Sequence, residues 1–325
     1  MKHIGILTSG GDAPGMNAAV RAVVRAAVNN GLKVTGVLEG YQGLIKNNFI
    51  PLDSQSVRGI IQNGGTILRS ARSPEFRTEE GLQTAADNMR EIGMDGLVVI
   101  GGDGTFRGAN DFSTRFDIPV VGIPGTIDND IYGTEYTIGY DTCLNTVVDA
   151  VDKIRDTASS HNRIFIVEVM GHESGFVAMH SGLACGAEVI LIPEQKNQLE
   201  KVRNFLSDRA CTNKSSVIMV AEGIEEGGAM AIAEKMKTEF PQFEIRVSVL
   251  GYIQRGGSPS ARDRVLASEL GVAAVHALLD KKTACMVGFI NGKLHYESFS
   301  TAVKMHKKVN VDFIRMAESI GTYAY

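Results

Sequence analysis

Two short stretches of the sequence combine residue types that bind phosphate and metal ions. Segment 124–130 (PGTIDND) ends in Asp128 and Asp130, and segment 101–105 (GGDGT) follows the apolar run 97–100. A glycine loop after a buried strand offers backbone N–H groups to phosphates, and a loop carboxylate can bind Mg²⁺. In a parallel sheet both loops emerge at the carboxyl ends of the strands, where ligands bind. Phosphate, metal and a candidate base would therefore meet at one sheet edge, which indicates phosphoryl transfer.

The elements that must position these loops alternate between strand and helix. Short Val/Ile runs predict strands that are buried on both faces, and helical patterns lie between most of them. Because one sheet would be too wide for this many strands, we expect two mostly parallel sheets and two domains. The predicted strands are 3–8, 33–38, 96–100, 119–123, 164–169, 188–192, 216–221, 244–250 and 284–289. The predicted helices include one that ends near Asn30, and 141–158, 174–185, 228–239 and 259–280.

Composition limits the class of protein. The 325 residues are 44% apolar and 22% charged, as in ordinary globular chains, and the length suits two domains or one large α/β unit. The net charge of −4 argues against a nucleic-acid or anionic-membrane partner. No apolar run approaches membrane-spanning length, and no signal-peptide pattern opens the chain. The cysteines are scattered without metal-ligand spacing, which fits a reducing cytoplasm: Cys143, Cys185, Cys211 and Cys285.

Six motifs, taken together and in order, resemble the bacterial ATP-dependent 6-phosphofructokinase family. Besides 101–105 and 124–130 they are 7–17 (LTSGGDAPGMN), 64–72 (GGTILRSAR), 167–171 (VEVMG) and 251–259 (GYIQRGGSP). The resemblance implies a glycolytic kinase that transfers the γ-phosphoryl of ATP to the 1-hydroxyl of fructose 6-phosphate, with Mg²⁺ as cofactor. It further implies a cytoplasmic homotetramer under allosteric control, without nucleic-acid or membrane partners.

The same resemblance implies the domain organisation. The fold would be two Rossmann-like three-layer α/β/α domains with mostly parallel sheets. A larger ATP-binding domain would comprise 1–138 and about 251–305. A smaller sugar-phosphate-binding domain would comprise 139–250 and about 306–325.

Roles for individual residues also follow from the resemblance. Asp128 matches the family's general base, Asp130 a supporting carboxylate, and Thr126 a ligand of the transferring phosphate. Asp103 matches the Mg²⁺-binding aspartate, and Arg72 matches a cation that bridges the transferring group. The positions matching the ATP site are Gly11, Tyr41, Arg72, Ser73, Arg77, Gly102, Asp103, Gly104 and Thr105.

The sugar-phosphate site is implied in the same way, with two departures. The family has arginine where this chain has His172, and histidine where it has Tyr252, which puts substrate affinity in question. The arginines matching Arg163 and Arg246 reach in from a neighbouring subunit in the family. The matching positions are Thr126, Ile127, Asp128, Arg163, Met170, Gly171, His172, Glu222, Arg246, Tyr252 and Arg255.

An effector site for ADP or phosphoenolpyruvate is only partly matched. The corresponding residues are Arg21, Arg25, Arg155, the metal-binding Glu188, and Lys214 as a substitute cation. Ser54, Cys211 and Asn213 stand where the family often has cations. Each lost charge-assisted contact to phosphate would cost roughly 1.5–3 kcal/mol. We therefore expect weak regulation by either effector.

Several alternatives remain at this point. Segments 101–105 and 124–130 each also suit an ordinary tight turn. The chain could be a pyrophosphate-dependent phosphofructokinase, or a related kinase for diacylglycerol or NAD that shares the GGDG loop. It could also be a nucleotide-binding regulatory subunit without catalysis. Gly104 and Gly125 favour ATP, because pyrophosphate-using relatives typically carry Asp and Lys there, and such an Asp would crowd and repel the α-phosphate.

Overall fold

The computed structural model describes residues 1–159, 163–209 and 215–322, and within them the strands form two sheets. Strands β1 to β11 are His3–Thr8, Lys33–Val37, Phe49–Leu52, Gly96–Gly101, Val120–Pro124, Ile164–Val169, Val189–Leu191, Ser216–Ala221, Ile245–Val249, Cys285–Ile290 and Lys293–Ser298. Helices α1 to α11 are Met16–Asn29, Gly40–Ile45, Glu79–Glu91, Asp103–Phe116, Tyr140–Ser159, Phe176–Ala184, Gln198–Arg209, Gly228–Glu239, Ala261–Leu279, Phe299–Ala302 and Val311–Ser319. None of the described helices is long and apolar enough to cross a bilayer.

The chain divides into two packed units, each with its own sheet. Unit 1 comprises Met1–Ile127, Ile131–Thr142 and Arg255–His306. Unit 2 comprises Asp128–Asp130, Cys143–Gln254 and Lys307–Tyr325. The short segment Asp128–Asp130 packs with unit 2 although its neighbours on both sides belong to unit 1, a crossing that the predicted boundaries did not include.

Unit 1 contains the larger sheet, with strand order β11-β10-β5-β4-β1-β2-β3. The pairs from β10 to β2 are parallel, and the outer strands β3 and β11 are antiparallel to their neighbours. The central strands are buried throughout, as expected for strands covered on both faces. The α/β class and the mostly parallel sheets are therefore confirmed.

The sequence analysis did not predict the two antiparallel edge strands, β3 and β11, and the reason is physical. Strand β11 is polar and no more than half-buried along its length, so it lacks the apolar run that indicated the inner strands. Strand β3 is short and contains Pro51, a residue that sheets tolerate mainly on edges. Both strands join their neighbours through local connections, which do not produce a long periodic pattern.

An aromatic cluster holds helix α4 against the sheet of unit 1. Phe106 of α4 packs on Phe299 with ring centroids 5.4 Å apart, and Phe112 packs on Phe76 at 5.6 Å. Gly122 in β5 makes room for this cluster, since a Cβ there would lie 2.5 Å from Phe106 and 2.7 Å from Phe299. Burial of each large apolar side chain contributes about 1.5–3 kcal/mol. The cluster therefore fixes the helix whose first turn contains the last three residues of the GGDGT segment, 103–105.

Unit 2 contains the smaller sheet, with strand order β7-β8-β6-β9. All of its pairs are parallel, and β6 lies in the middle with β8 and β9 on either side. Loops that follow β6 and β8 therefore emerge at the same sheet edge. This arrangement brings residues 170–175 close to Glu222.

Candidate functional site

Two loops predicted to bind the nucleotide, 9–15 and 101–105, are tied together in unit 1 at the carboxyl ends of β1 and β4, and are called the nucleotide-side loops below. The Thr105 hydroxyl donates to the carbonyl of Ser9 at 3.1 Å, and the Ser9 N–H donates to the carbonyl of Ile100 at 2.9 Å. Gly101 is required at this crossing, because a Cβ there would lie 2.4 Å from the Ser9 carbonyl oxygen. Hydrogen bonds thus hold the two glycine-containing loops together at one edge of the sheet.

The first turn of α4 offers an open anion-binding position. The helix begins at Asp103, directly after Gly102, and its first N–H groups have no partner within the helix. A Cβ at Gly104 would meet no atom within 4 Å. The backbone at this position is therefore accessible, and a helix N-terminus favours a bound phosphate.

Asp103 has the donor chemistry that magnesium prefers. Its carboxylate accepts from Arg107 Nε at 2.7 Å, and its side chain is 41% exposed. Among the described residues no group of three or more acidic, histidine or cysteine side chains could hold a metal by itself. Magnesium in kinase sites is usually bound by one or two carboxylates together with substrate phosphates and water. A single exposed carboxylate beside a phosphate site fits that pattern.

Tyr41 lies in the core of unit 1. Its ring stacks on Phe76 with centroids 4.1 Å apart, and its hydroxyl donates to the carbonyl of Thr105 at 2.6 Å. Burial raises the pKa of the Tyr41 hydroxyl far above its ordinary value. The side chain thus supports the first turn of α4 from behind, and its contact with adenine stays a prediction.

The other cations and hydroxyls predicted for ATP lie on the 64–77 segment. Arg72 and Arg77 are exposed, and within the described part of the chain no acceptor pairs with either guanidinium. The Ser73 hydroxyl donates to Gln42 at 2.7 Å. Asn17 anchors the start of this segment by donating to the Gly64 carbonyl at 3.0 Å, a role that the motif pattern did not indicate.

Thr126 lies beside the nucleotide-side loops in unit 1. It is 8% exposed, and its carbonyl accepts from the Thr137 hydroxyl at 2.6 Å. A Cβ at Gly102 would lie 3.6 Å from the Thr126 Cβ. Thr126 therefore stands next to the proposed phosphate position, and Ile127, which follows it, is fully buried.

Asp128 and Asp130 flank a residue in a left-handed conformation in unit 2. Asn129 has φ +54° and is 1% exposed. The hydroxyl of Ser174 lies 3.1 Å from the carbonyl oxygen of Asp128 and 3.0 Å from that of Gly171. Ser174 thereby couples the predicted base to the loop after β6. The sequence prediction missed it, because a lone serine carries no motif signal.

The loop after β6 is held through its backbone. The Glu222 carboxylate accepts from the N–H of His172 at 2.9 Å and of Gly171 at 3.3 Å. Gln254, which is fully buried, accepts from the N–H of Met170 at 3.2 Å. Glu222 was predicted to accept from sugar hydroxyls. The structure gives one of its oxygens a second task, that of fixing the loop.

Arg163 and Arg246 share an acidic partner that the sequence analysis did not single out. Glu244 Oε1 lies 2.9 Å from Arg163 Nε and 2.5 Å from Arg246 Nη2. The guanidinium of Arg163, and then that of Arg246, holds the pKa of Glu244 below its usual value. Glu244 and Arg246 stand two residues apart, a spacing that places side chains on one side of an extended chain.

The two remaining substrate-site residues lie on the segment 251–255. Tyr252 in unit 2 is 83% exposed. Arg255 in unit 1 lies against the nucleotide-side loop, since a Cβ at Gly11 would be 1.8 Å from its Nη1. Its Nη1 also donates to the carbonyl of Asp12 at 3.4 Å. Arg255 thus contacts the predicted ATP loop directly.

The predicted effector residues fall into two groups, one in each unit. In unit 1, Arg21 and Arg25 line a groove together with Ser54 and Ser268. In unit 2, Arg155 Nη1 lies 3.5 Å from Glu188 Oε1. The other oxygen of Glu188 accepts from the Val217 N–H at 2.7 Å, so this carboxylate is engaged within the protein. Lys214, Cys211 and Asn213 lie outside the described residues.

Comparisons with known proteins agree over nearly the whole chain. The family model described as phosphofructokinase matches residues 3–278. ATP-dependent 6-phosphofructokinase 2 of Bacteroides thetaiotaomicron is 52% identical over 322 residues, covering 99% of each chain. ATP-dependent 6-phosphofructokinase 1 of Thermus thermophilus is 51% identical over 322 residues, covering 99% of this chain and 100% of that one.

A solved structure gives the same picture of the fold. The phosphofructokinase of Saccharomyces cerevisiae superposes with a TM-score of 0.86 at 34% identity. The superposition covers 99% of this chain and 47% of the yeast chain, so this chain spans about half of that larger polypeptide. Both units of the present chain therefore have counterparts in a solved fold.

Proposed function

The chain belongs to the phosphofructokinase family, and we propose that it transfers the γ-phosphoryl of ATP to the 1-hydroxyl of fructose 6-phosphate. The products are fructose 1,6-bisphosphate and ADP, and the reaction is that of a glycolytic kinase. The observation that carries the proposal is the first turn of α4. There the Asp103 carboxylate stands beside Gly104, whose backbone has open space around it, at the end of a central parallel strand.

In the proposed reaction, the nucleotide phosphates lie along the 9–15 and 102–105 loops, where N–H groups and the helix dipole favour negative charge. Arg72, exposed and without an acceptor among the described residues, would contact the transferring group. Bound Mg²⁺, held by Asp103 and the phosphates, would neutralise the charge that β- and γ-oxygens share. These contacts position the γ-phosphorus and stabilise the charge that spreads over its oxygens during transfer.

On the acceptor side, the sugar 1-hydroxyl oxygen attacks the γ-phosphorus in line with the departing ADP oxygen. Asp128 takes the hydroxyl proton as the new P–O bond forms, a role open to a carboxylate because carboxylates are ionised at pH 7. The Ser174 hydroxyl near the Asp128 carbonyl supports this assignment, since it fixes the backbone of the base. Asp130 supports the site, and Thr126 contacts the transferring phosphate.

The donor is proposed to be ATP and not pyrophosphate. A side chain at position 104 would project into unoccupied space at the start of α4, so an acidic residue there could crowd a nucleotide, and glycine leaves room for one. Gly125 has an additional packing reason to be glycine. A Cβ there would lie 3.0 Å from Ile100 and 3.3 Å from Met16, both apolar side chains.

The proposal includes domain roles and an assembly. Unit 1 would bind ATP and unit 2 the sugar phosphate, in a cytoplasmic homotetramer in which Arg163 and Arg246 serve a neighbouring subunit. The free thiols of Cys143, Cys185 and Cys285 support a reducing compartment. Analytical ultracentrifugation tests the assembly, and a monomer at micromolar concentration in the presence of substrates would contradict it.

A coupled assay tests the reaction itself. Purified protein is given fructose 6-phosphate and Mg²⁺ with either ATP or pyrophosphate, and formation of fructose 1,6-bisphosphate is followed. We expect turnover with ATP and at most a small fraction of that rate with pyrophosphate. A faster reaction with pyrophosphate would replace the proposal by the pyrophosphate-dependent one. No turnover with either donor, from protein with an intact melting transition, would point to a regulatory subunit.

A further inference from the structure

We propose that Glu244 is a positioning residue for the sugar phosphate. Its carboxylate holds Arg163 and Arg246 side by side, so that the two guanidinium groups present one joint site to a phosphate. The inference rests on the proposed function, which assigns both arginines to the phosphate of fructose 6-phosphate. Glu244 itself would touch the arginines and not the substrate.

The geometry places Glu244 at the centre of the cluster. A single oxygen, Oε1, lies 2.9 Å from Arg163 Nε and accepts from Arg246 Nε at 3.1 Å and Arg246 Nη2 at 2.5 Å. The backbone reinforces this arrangement, because the Ile164 N–H donates to the Glu244 carbonyl at 3.1 Å. Strands β6 and β9 are neighbours, with Phe165 paired with Arg246. Arg246 is therefore hydrogen-bonded to this carboxylate, and Arg163 lies at ion-pair distance from it.

The cluster keeps donors available for a ligand. Arg163 engages Glu244 through Nε, and Arg246 through Nε and Nη2, so both Nη groups of Arg163 and Nη1 of Arg246 remain. In the part of the chain that the structure describes, no acceptor is recorded for these groups. Guanidinium donors of this kind suit phosphate oxygens, which they bind in bidentate fashion.

Charge explains why a carboxylate belongs between two arginines that bind an anion. Two guanidinium groups at close range repel each other and would separate when no ligand is present. One carboxylate between them offsets that repulsion and leaves the cluster with a net charge of about +1, still attractive to a phosphate dianion. The pairing thus reduces the ordering that substrate binding would otherwise have to impose on two long side chains.

The expected effect is moderate because the cluster is partly exposed. The side chains of Arg163, Arg246 and Glu244 are 23%, 57% and 43% exposed, and exposed ion pairs are screened by solvent. Loss of two such pairs predicts an increase of about three- to tenfold in the KM for fructose 6-phosphate. The kcat and the KM for ATP should stay within about twofold, since no reacting atom is touched.

The test compares three variants in the full-length protein. Glu244→Ala removes the carboxylate, and Glu244→Gln keeps an acceptor oxygen of the same reach. Glu239→Ala is the matched control, because Glu239 forms an equally close pair with Arg203, at 2.6 and 2.7 Å, and neither residue is assigned to any proposed site. We expect Glu244→Ala to raise the KM for fructose 6-phosphate, Glu244→Gln to raise it by less because an acceptor oxygen remains, and Glu239→Ala to match wild type. If Glu244→Ala does not fold, Glu244→Asp, with a shorter reach, should raise the same KM.

Three results would overturn the inference. The KM for fructose 6-phosphate could be the same in Glu244→Ala and Glu239→Ala. It could fall in Glu244→Ala, which would make Glu244 a competitor of the phosphate. It could rise together with the KM for ATP, which would indicate general damage. Absence of wild-type turnover would instead refute the proposed function, and calorimetric titration with fructose 6-phosphate would then decide the role of Glu244 on binding alone, equal affinities counting against it.

Discussion

Replacement of Gly104 by Asp should weaken ATP binding without weakening the fold. The residue is exposed, it is the second residue of α4, and a Cβ there would meet no atom within 4 Å. An acidic residue in the first turn of a helix is stabilising by about 0.3–1 kcal/mol. The melting temperature of Gly104→Asp should therefore equal or slightly exceed that of wild type. Any loss of activity would then reflect weaker binding of ATP and not a less stable fold.

The size of the loss follows from Coulomb's law. A carboxylate about 5 Å from a phosphate charge, at an effective dielectric constant of about 20, is repelled by roughly 3 kcal/mol. Solvent screening at this exposed position reduces that figure to about 1.5–3 kcal/mol. Since about 1.4 kcal/mol corresponds to a factor of ten, the KM for ATP should rise about ten- to a hundredfold.

Gly104→Asn is the matched control, because it adds a side chain of the same size without charge. Steady-state kinetics with varied ATP and saturating fructose 6-phosphate should show only a small loss for Gly104→Asn. The deficit of Gly104→Asp should shrink as salt is raised, because added ions screen the repulsion. Equal KM values for the two variants, or a wild-type KM in Gly104→Asp, would refute the argument. A change at Gly125 would confuse the test, since its Cβ would crowd Ile100 and Met16.

Four further outcomes are expected. Asp128→Ser should lower kcat by about 10²–10⁴ with substrate affinity retained, as for loss of a general base, and a variant that keeps more than half of the wild-type kcat would remove Asp128 from that role. Asp103→Ala should need more Mg²⁺ for half-maximal rate at fixed ATP, and an unchanged Mg²⁺ titration would contradict the assignment. Burial, and then the charge of Lys307, lowers the pKa of His180 to about 4. The folded protein therefore binds fewer protons than the unfolded chain between pH 6.5 and 4. As the pH is lowered through this range, the free energy of unfolding should fall by up to about 1.4 kcal/mol per pH unit. Denaturant titrations of His180→Leu at several pH values should show a free energy of unfolding that depends less steeply on pH than in wild type. Parallel pH dependences in the two proteins would argue against this role of His180. Rate curves against fructose 6-phosphate should be nearly hyperbolic, with little response to millimolar ADP or phosphoenolpyruvate, whereas a sigmoidal curve that ADP restores would show an intact effector site.

The inner sheets could be predicted from sequence because their chemistry is uniform. Strand β4 is an uninterrupted apolar run, and such runs indicate strands buried on both faces whatever their neighbours are. The edge strands β3 and β11 could not be predicted in this way. An edge strand pairs with a neighbouring strand on one side only, so its residues need not form a continuous apolar run. The grouping of Asp128–Asp130 with unit 2 was equally invisible, because it depends on packing and not on any change in composition.

In the candidate site, too, some features could be predicted from the sequence and others could not. Motif spacing predicted which loops lie at the carboxyl ends of β1 and β4, and the structure brings them together through Thr105 and Ser9. Spacing carried no information on hydrogen-bond partners. It therefore missed Ser174 and Glu244, whose importance lies only in what they contact, and it could not indicate that Tyr41 is buried.

The loop contacts also bear on the two departures from the family pattern, His172 and Tyr252. The loop carrying His172 is held by its own N–H groups, which donate to Glu222, so its path does not depend on the side chain at position 172. Tyr252 is 83% exposed, and the adjacent chain is fixed by the buried Gln254. Substitution at either position can therefore alter contacts with a ligand while the backbone around Asp128 stays in place. Under the proposed function, the chemistry and the affinity of the acceptor site are in this sense assigned to different residues, so that changes in affinity could accumulate without loss of the reaction.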